Sequence, residues 1–516
     1  VTSKMLTYKL VVLLQMMMVT GQEVISIPQG RVRGISREGY VSYTGIPYAN
    51  VTSPMGRFKK AGLAPIWSDT RDSGMLTCSS DSDAEECLQL DVHVPAAGGV
   101  NWPVLVWVTG GSGPYNPGKL VQEGIIVVIV HHRLGPLGFL CLGDDEVPGN
   151  AGVKDVVLAL RWVGDNIVAF NGNPAKVVVA GQSFGAAMVE AVILSNIANG
   201  LYHGAILQSG SALCPWAFNY DAVERAKVLG SITDKSDDYV KSLFDAKIKD
   251  LVGIANQLNV QYFPFGMCAE KPSEEEERLL LEAPYDLLSN KKKGNPVPMI
   301  IGFNNNEAYV FVSILREANV LRRMSRGVSF LLPDDFKFFN DRERQQTGRQ
   351  MQDMYFKKNI TMASVLGYHR DAYFSSHIHR SVRHHVSTTS VFYYQFSYSD
   401  DLGVQSEPGR QKKGAAHSDE LAYLFNDMTL EEEKGVVQRR LVKFWTNFVK
   451  NLNPSYQGEV TWEPTKPDTF RLLDIGTEMN MIDYPYFKTA SMWNELYEKY
   501  YYTRNRIFDY YRGILF

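Results

Sequence analysis

A serine that could act as a nucleophile lies at a sharp turn in the stretch VVVAGQSFGAAMVE, residues 177–190. Ser183 has a glycine two residues away on either side, follows a run of β-branched residues and precedes an alanine-rich segment typical of a helix. A strand, a tight turn and a helix in that order would expose its hydroxyl. Because the pattern Gly-x-Ser-x-Gly is short, it indicates nucleophilic chemistry only if a base, an acid and an oxyanion site accompany it.

The other groups that this chemistry needs are found elsewhere in the chain. His417, in KKGAAHSDELAYLF, is the candidate base, and Glu307, in IIGFNNNEAYVF, is the candidate acid that would fix the tautomer of the base. Serine, acid and histidine occur in the order typical of α/β-hydrolases. The N–H groups of the loop 110–113, together with the amide of Phe184, could stabilise an oxyanion. A phosphate-binding loop is disfavoured at 110–113, because the segment lacks the P-loop lysine and the dinucleotide spacing.

Nearly continuous apolar runs predict strands that are buried on both faces of a sheet. These runs are 104–110, 125–133, 176–182, 204–210, 297–304 and 391–398. Segments 152–170 and 430–452 carry apolar residues at helical spacing. The alternation predicts an α/β fold with a mostly parallel central sheet flanked by helices, and ligands bind such sheets at the carboxyl ends of the strands, where Ser183 lies.

The composition is typical of a globular protein. Of 516 residues, 45% are hydrophobic and 21% are charged, and the formal net charge is −3. This charge gives no reason to expect a nucleic-acid partner. No linker or internal repeat divides residues 22–516, which we expect to form a single domain. Of the two charged runs, we interpret 273–278 as a helix capped by Ser273 and 290–295 as a solvated loop.

The first 21 residues predict a signal peptide and hence secretion. Lys4 and Lys9 precede an apolar run, small residues precede the expected cleavage after Gly21, and Met5 is the expected initiator. The run is short for a bilayer span and no later segment is long enough, so we expect no stable membrane insertion. The alternatives for this segment are a buried N-terminal helix or a membrane anchor.

Glycosylation acceptors and cysteines fit an extracellular location. Sequons at Asn50 and Asn359 predict glycosylation. Five cysteines leave at least one without a partner. Cys78 and Cys87 could close a small loop, whereas apolar surroundings favour buried thiols at Cys141, Cys214 and Cys268.

Taken together, these motifs resemble the type-B carboxylesterase and cholinesterase family, particularly the insect secreted esterases. Blocks that resemble family segments follow one another along almost the whole chain, at 43–58, 85–95, 131–140, 147–186, 206–217 and 414–425. The resemblance implies an α/β-hydrolase fold and a carboxylic ester hydrolase that uses an acyl-enzyme and no cofactor. Its triad would be Ser183 as nucleophile, His417 as base and Glu307 as acid.

The resemblance also implies supporting residues. They are Gly111, Ser112 and Phe184 as oxyanion donors, Ser209 as a hydroxyl near the acid, a Cys78–Cys87 disulfide, and the ion pairs Arg57–Glu85 and Arg133–Asp155.

Three departures from the family pattern bear on activity. Where the family has histidine or tyrosine followed by three glycines, the segment 109–112 is Thr-Gly-Gly-Ser. Ser112 keeps its N–H group, but its Cβ restricts the loop. Phe184 replaces an alanine and puts a ring beside the acyl site, and Val156 replaces a glutamine. Substrate range and rate are therefore expected to differ within the family.

Apolar small-molecule esters, such as hormone, odorant or xenobiotic esters, are the expected substrates. Aromatic and sulfur-containing side chains would either line the site or belong to the core: Tyr262, Phe263, Phe265, Met267 and Cys268. Nothing in the sequence indicates an oligomeric state.

Two other functions compete with hydrolysis. A non-catalytic adhesion or ligand-binding protein on the same scaffold would be expected to lack a triad residue, whereas all three are present. A metal site would draw on His377, His379, His384 or His385, but no acidic or thiolate partner lies near them in sequence. We therefore expect neither a metal nor a cofactor.

Overall fold

The computed structural model describes residues 23–501, apart from the segments 52–55, 75–86, 112–114, 234–237, 256–263, 291–293, 313–316, 325, 334, 358, 401 and 404–412. The predicted signal peptide, Cys78, Glu85 and Ser112 therefore lie outside the described residues.

The strands are numbered in chain order. They are β1 Val24–Ile27, β2 Gly30–Arg33, β3 Ile35–Arg37, β4 Tyr40–Pro47, β5 Ala49–Asn50, β6 Gly62–Leu63, β7 Thr70–Asp72, β8 Gln89–Pro95, β9 Trp102–Val108, β10 Ile126–Val130, β11 Gly172–Gln182, β12 Gly204–Gln208, β13 Met299–Asn304, β14 Val391–Phe396, β15 Leu472–Ile475 and β16 Met479–Ile482.

The helices are numbered in the same way. They are α1 Gly118–Gln122, α2 Gly135–Phe139, α3 Ala151–Asn166, α4 Phe184–Leu194, α5 Ala222–Thr233, α6 Tyr239–Asp245, α7 Ile248–Ala255, α8 Pro284–Ser289, α9 Glu317–Met324, α10 Asp341–Phe356, α11 Met362–Arg370, α12 Ser376–His385, α13 Leu421–Leu424, α14 Glu432–Asn451 and α15 Phe487–Tyr500. Short 3₁₀ turns cover Ile167–Phe170, Asn196–Ala198, Glu307–Phe311 and Ser329–Leu331, and a π-helical turn covers Asp371–Ser375.

A central sheet contains eleven of these strands, in the order β16-β15-β14-β13-β12-β11-β9-β10-β8-β4-β3. Neighbouring strands from β15 to β10 are parallel, whereas β16 at one edge and β8, β4 and β3 at the other are antiparallel. The prediction of a mostly parallel sheet flanked by helices is confirmed, and each of the six predicted strands is present. β11, β13 and β14 therefore end at the same edge of the sheet.

Alternate residues of the central strands enter two separate hydrophobic clusters. In β9, Val104, Val106 and Val108 face one cluster, while Leu105 and Trp107 face the other. Helices α3 and α4 cover the first face, and α14 covers the second. Because both faces are buried, the strands need apolar residues at every position, which explains their uninterrupted Val and Ile runs.

The charged run 273–278 is not helical, so that prediction is wrong. Its acidic side chains bind basic partners instead. Glu276 pairs with the buried Lys154 of α3 at 3.0 Å, and Glu277 pairs with Arg161 of α3 and with Lys60. These ion pairs dock the segment onto α3 in an irregular conformation, which a capping pattern in the sequence does not indicate.

The prediction of three buried thiols is wrong at two positions. Cys141 and Cys268 form a disulfide with a Cα–Cα distance of 6.7 Å, although 127 residues separate them in sequence. Cys214 is a free, buried thiol. Cys87 is disulfide-bonded, and its proposed partner Cys78 lies outside the described residues. Apolar neighbours in sequence indicate burial, but they do not indicate which sulfur lies opposite.

A buried ion pair joins α3 to the loop after β10. The guanidinium of Arg133 donates to both carboxylate oxygens of Asp155, at 2.6 and 2.8 Å, and neither side chain is exposed. The predicted Arg133–Asp155 pair is confirmed. Burial of the two charged groups is tolerated because each supplies the other with an opposite charge and two hydrogen bonds.

Replacement of Asp155 by asparagine should destabilise the fold strongly, because the guanidinium of Arg133 would stay buried without a counter-charge. We expect a loss of about 3–5 kcal/mol in the free energy of unfolding, measured by urea denaturation. Asp165→Asn, at an exposed position of the same helix, should change the midpoint little. Equal midpoints for the two variants would contradict the assigned role of the pair.

Candidate active site

Ser183 occupies a strained turn between β11 and α4. Its backbone has φ 59° and ψ −126°, a conformation that residues other than glycine rarely adopt. Glycine is required at both flanking positions because neighbouring backbone atoms lie too close for a side chain. A Cβ on Gly185 would lie 2.4 Å from the carbonyl oxygen of Val108, and one on Gly181 would lie 2.5 Å from the carbonyl carbon of Gly185. The turn is thus packed backbone against backbone, with the serine side chain at its tip.

His417 and Glu307 form a short hydrogen bond at the same edge of the sheet. Nδ1 of His417 lies 2.6 Å from Oε2 of Glu307, whose side chain is fully buried. The other carboxylate oxygen accepts the backbone N–H of Asn304 at 2.7 Å. An ionised carboxylate only accepts, so Nδ1 carries the proton and Nε2 is left as the acceptor. This is the tautomer that a general base needs.

The charges around His417 favour its protonated form. Burial on its own lowers the pKa of the imidazole. The charge and hydrogen bond of Glu307 outweigh burial, and the charges of Glu420 and Asp419 add to them, so that the pKa of His417 is raised above its ordinary value. The site therefore stabilises an imidazolium, which is the species formed when the base takes a proton.

A second buried carboxylate, which the sequence analysis did not single out, belongs to this network. Glu420 accepts the side-chain amides of Gln208 at 3.0 Å and Asn304 at 2.5 Å. Burial, followed by the charge of Glu307, raises the pKa of Glu420 from 4.5 to about 7. Its position three residues after His417, on the same loop, is the signal that could have identified it.

Ser183 and His417 line one cavity of about 670 Å³. The described lining residues are Gly110, Gly111, Tyr115, Asn116, Gln182, Ser183, Trp216, Val310, Phe311, Tyr373, Phe374, His417, Ser418, Leu421, Ala422, Phe425 and Asn426. None of these is an aspartate, glutamate, lysine or arginine. The described part of the cavity is therefore mainly apolar, with its polar groups concentrated around the serine and the imidazole.

Aromatic rings form two groups in the lining of this cavity. The Phe374 ring packs against the imidazole of His417, with 5.0 Å between ring centroids, and it also contacts Trp216 at 5.8 Å. In the second group, the ring centroids of Tyr115 and Phe425 are 5.1 Å apart. A lining rich in aromatic rings suits an apolar ligand.

The residues predicted for the oxyanion site are only partly described. Gly110 and Gly111 line the cavity, while Ser112 lies outside the described residues. Phe184 is the first residue of α4, so its amide follows the serine directly. Its ring is buried against Phe139 at 4.9 Å and lies 6.4 Å from the ring of Trp216. Phe184 is not among the described lining residues of the cavity, whereas its neighbour Trp216 is.

Ser209, predicted to stand near the acid, is fully buried at the end of β12, with φ 54°. Its hydroxyl makes no hydrogen bond to any described residue, Glu307 included.

Other predicted residues lie apart from this cavity. Phe265 and Met267 are buried in the core, and Cys268 forms the disulfide with Cys141, whereas Tyr262 and Phe263 lie outside the described residues. Asn50 and Asn359 are exposed.

The histidines considered as metal ligands have separate environments in the structure. Nε2 of His377 lies 2.9 Å from the carbonyl oxygen of Ala372, His379 stacks on Tyr484, and Nε2 of His385 contacts Glu190 at 2.8 Å. The described residues contain no group of three or more His, Cys, Asp or Glu that could hold a metal ion.

The site and the fold together define an α/β-hydrolase. A strained serine lies between a strand and a helix, a histidine is hydrogen-bonded to a buried acid, and a parallel sheet brings both to one edge. The chain belongs to the carboxylesterase family, whose model matches residues 21–493. It is accordingly a carboxylic ester hydrolase, and the family to which it belongs acts on small-molecule esters.

Known relatives cover most of the chain. It is 30% identical over 502 residues to human cocaine esterase, covering 86% of this chain and 84% of the relative. It is 28% identical over 530 residues to venom carboxylesterase-6 of Apis mellifera, covering 92% of this chain and 94% of the relative. Among solved structures, juvenile hormone esterase from Manduca sexta with OTFP covalently attached superposes with a TM-score of 0.83 at 26% identity, covering 92% of this chain and 99% of that one. The resemblance to insect esterases is confirmed.

No helix among the described residues is long and apolar enough to cross a membrane.

Glu420 should make stability depend on pH. In the unfolded chain Glu420 loses its proton near pH 4.5, whereas in the folded protein it keeps the proton up to about pH 7. The free energy of unfolding therefore falls as the pH rises through this window. Since one pKa unit corresponds to about 1.4 kcal/mol, the effect is about 3 kcal/mol. Glu420→Gln also loses an acceptor, which shifts its stability at every pH, but it should lack this pH-dependent part.

Urea denaturation at pH 5 and pH 8 would measure the effect. The difference in unfolding free energy between wild type and Glu420→Gln should change by about 3 kcal/mol between these two pH values. Glu463→Gln, at an exposed position, is the control and should give a constant difference. A constant difference for Glu420→Gln as well would contradict the raised pKa.

Proposed function

We propose that the enzyme hydrolyses apolar small-molecule esters through an acyl-enzyme on Ser183. The supporting observation is the 2.6 Å hydrogen bond that buried Glu307 makes with His417, which lines the same cavity as Ser183. His417 takes the serine proton as Oγ attacks the ester carbonyl. It then gives that proton to the departing alcohol oxygen. Water, deprotonated by the same imidazole, attacks the acyl-enzyme, and the acid is released as Oγ regains its proton.

The negative charge of each tetrahedral intermediate would be held by backbone amides. We assign this role to Gly111, Ser112 and Phe184, with Gly111 in the cavity lining and Phe184 at the start of α4. Backbone N–H groups at these positions need no charge of their own to stabilise an oxyanion. Glu307 in turn stabilises the imidazolium.

The cavity favours substrates without an anionic group. Its described lining is rich in aromatic rings and contains no lysine or arginine, so a carboxylate on the substrate would lose hydration without gaining a counter-charge. The structural similarity to a juvenile hormone esterase supports hormone esters as one group of candidate substrates. Hormone, odorant and xenobiotic esters all meet this requirement.

We also propose that the enzyme is secreted. Residues 1–21 would direct export, and Asn50 and Asn359 are exposed where glycosylation requires them to be. The Cys141–Cys268 disulfide supports an oxidising compartment, since such bonds are rare in the cytosol.

Replacement of Ser183 by alanine should abolish turnover of a chromogenic acetate, because no other group would form the acyl-enzyme. We expect kcat to fall about 10⁴- to 10⁶-fold, with an unchanged thermal unfolding midpoint. A fluorophosphonate probe should label wild type on Ser183 and leave the variant unlabelled, as mapped by peptide mass spectrometry. Ser231→Ala, on the surface of α5, is the matched control and should behave as wild type.

Full activity in the Ser183→Ala variant would contradict the assignment of Ser183 as the nucleophile. Folded wild-type protein that neither hydrolyses esters nor takes the probe would instead favour a non-catalytic adhesion or ligand-binding role.

Two isosteric esters would test the exclusion of anions. 4-Nitrobenzyl acetate and 4-carboxybenzyl acetate have nearly the same shape, but only the second carries a negative charge at neutral pH. We expect kcat/KM to be about tenfold or more higher for the neutral ester, because the described lining offers the carboxylate no lysine or arginine. Equal values, or a preference for the carboxylate, would contradict this assignment.

A further inference from the structure

Three buried aromatic rings form a contiguous group beside the catalytic serine. The ring of Phe184, which follows Ser183 directly, has its centroid 4.9 Å from that of Phe139 and 6.4 Å from that of Trp216. All three side chains are buried, and Trp216 also lines the cavity. We call Phe139, Phe184 and Trp216 the ring group. Because Phe184 contacts both other rings and is bonded to Ser183, a shift of the ring group would change the space around the serine.

The Cys141–Cys268 disulfide is attached to the ring group at its Phe139 end. Phe139 is the last residue of α2, and Cys141 follows it by two residues. Both cysteines are buried. The side-chain NH₂ of Asn150 donates to the carbonyl oxygen of Cys268 at 2.9 Å, and the side-chain oxygen of Asn150 accepts the N–H of Cys268 at 3.0 Å. The disulfide therefore ties α2 and its Phe139 to a segment that is itself held in place.

The same disulfide reaches the Trp216 end of the ring group through two backbone hydrogen bonds. Cys268 follows Met267 directly. The N–H of Met267 donates to the carbonyl oxygen of Ala217 at 2.9 Å, and its carbonyl oxygen accepts the N–H of Asn219 at 2.8 Å. Ala217 adjoins Trp216 in the chain. The cross-linked segment therefore pairs with the segment that carries the tryptophan.

A further hydrogen bond fixes Trp216. Its Nε1 donates to the carbonyl oxygen of Tyr373 at 2.7 Å, and Tyr373 is another residue of the cavity lining. The two outer members of the ring group are thus joined through the disulfide, and one of them is also bonded to the cavity lining. Packed rings in such an arrangement yield little, because protein interiors are as dense as organic crystals. Phe184, where the family pattern has alanine, adds the ring that contacts both outer members.

We propose that the Cys141–Cys268 disulfide is a specificity-determining element of this esterase: it keeps the ring group closed and thereby limits the size of the acyl group that fits beside Ser183. This inference rests on the proposed function of the site. With the cross-link present, a bulky acyl group has to displace packed rings whose neighbouring segments are covalently joined. Without the cross-link, those segments can separate, and the same displacement costs less.

Replacement of both cysteines by alanine tests the inference. In Cys141→Ala/Cys268→Ala, the ratio of kcat/KM for 4-nitrophenyl trimethylacetate to that for 4-nitrophenyl acetate should rise about fivefold or more. The larger acyl group gains most from a ring group that can open, so the value for the acetate should change less than about threefold. Substitution is used rather than reduction, because a reductant would also open the disulfide of Cys87.

Loss of the cross-link should also lower the thermal unfolding midpoint, so the control has to lower it as well. Val449→Ala is the matched control. Val449 is buried in α14 and belongs to the second hydrophobic cluster, whereas the ring group belongs to the first. The control should lower the midpoint through the methyl groups that it removes and leave the ratio unchanged. An equal rise of the ratio in Val449→Ala would overturn the inference, since general destabilisation would then explain it.

Phe184→Ala removes the ring through which the cross-link acts. In that background, loss of the disulfide should change the ratio less than about twofold, because no ring remains to be confined between Phe139 and Trp216. Should the double-cysteine variant not fold, Phe139→Leu decides the matter. It removes an outer ring without touching the disulfide, and it should raise the ratio about threefold or more. An unchanged ratio in that variant would overturn the inference.

The remaining outcomes separate this inference from the function on which it rests. An unchanged ratio in a folded double-cysteine variant, or the same rise with and without Phe184, overturns the inference. If the wild type is nevertheless labelled on Ser183 by a fluorophosphonate, the proposed function stands. A folded wild type that neither hydrolyses the two esters nor takes the probe would overturn the function and this inference together.

Discussion

The hydrogen bond between Nδ1 of His417 and the buried carboxylate of Glu307 is the interaction on which the site depends. It joins two loops that are 110 residues apart in sequence. A fully buried carboxylate is costly unless it is hydrogen-bonded, and the imidazole and the Asn304 amide supply those bonds. The bond can form only because the parallel strands β13 and β14 end at the same edge of the sheet, beside β11 and its serine.

The electrostatics of the site follow from this pair. Three acidic side chains act on a single imidazole and favour its protonated form, while the described lining of the cavity contributes no other ionised group. The pKa of Glu420 is raised to about 7. Glu420 accepts a hydrogen bond from the side-chain amide of Asn304, and Glu307 accepts one from the backbone N–H of the same residue. Buried acidic residues therefore control the protonation of His417, and the residues that line the cavity can be mainly apolar.

The apolar scaffold holds this polar cluster rigidly. The rings of Phe184 and Trp216 lie beside each other, and Phe374 packs against the ring of His417. Strands buried on both faces keep β11 in place, and the turn at Ser183 has no room for a Cβ on either flanking glycine. The strain of the serine backbone is maintained because the packing around it leaves no alternative.

Much of this was predictable from sequence, because strands buried on both faces leave long apolar runs and because a nucleophile at a strand–helix turn demands glycine neighbours. The six central strands were predicted in this way, while the serine, the acid and the histidine were predicted from their local motifs and their order in the chain. The Arg133–Asp155 pair was predicted from the family resemblance. Only the tertiary structure decided which sulfurs pair, where the charged run 273–278 docks, and that Glu420 joins the polar cluster. These contacts link residues far apart in the chain, or side chains whose direction is set by packing, and neither periodicity nor local motifs carry that information.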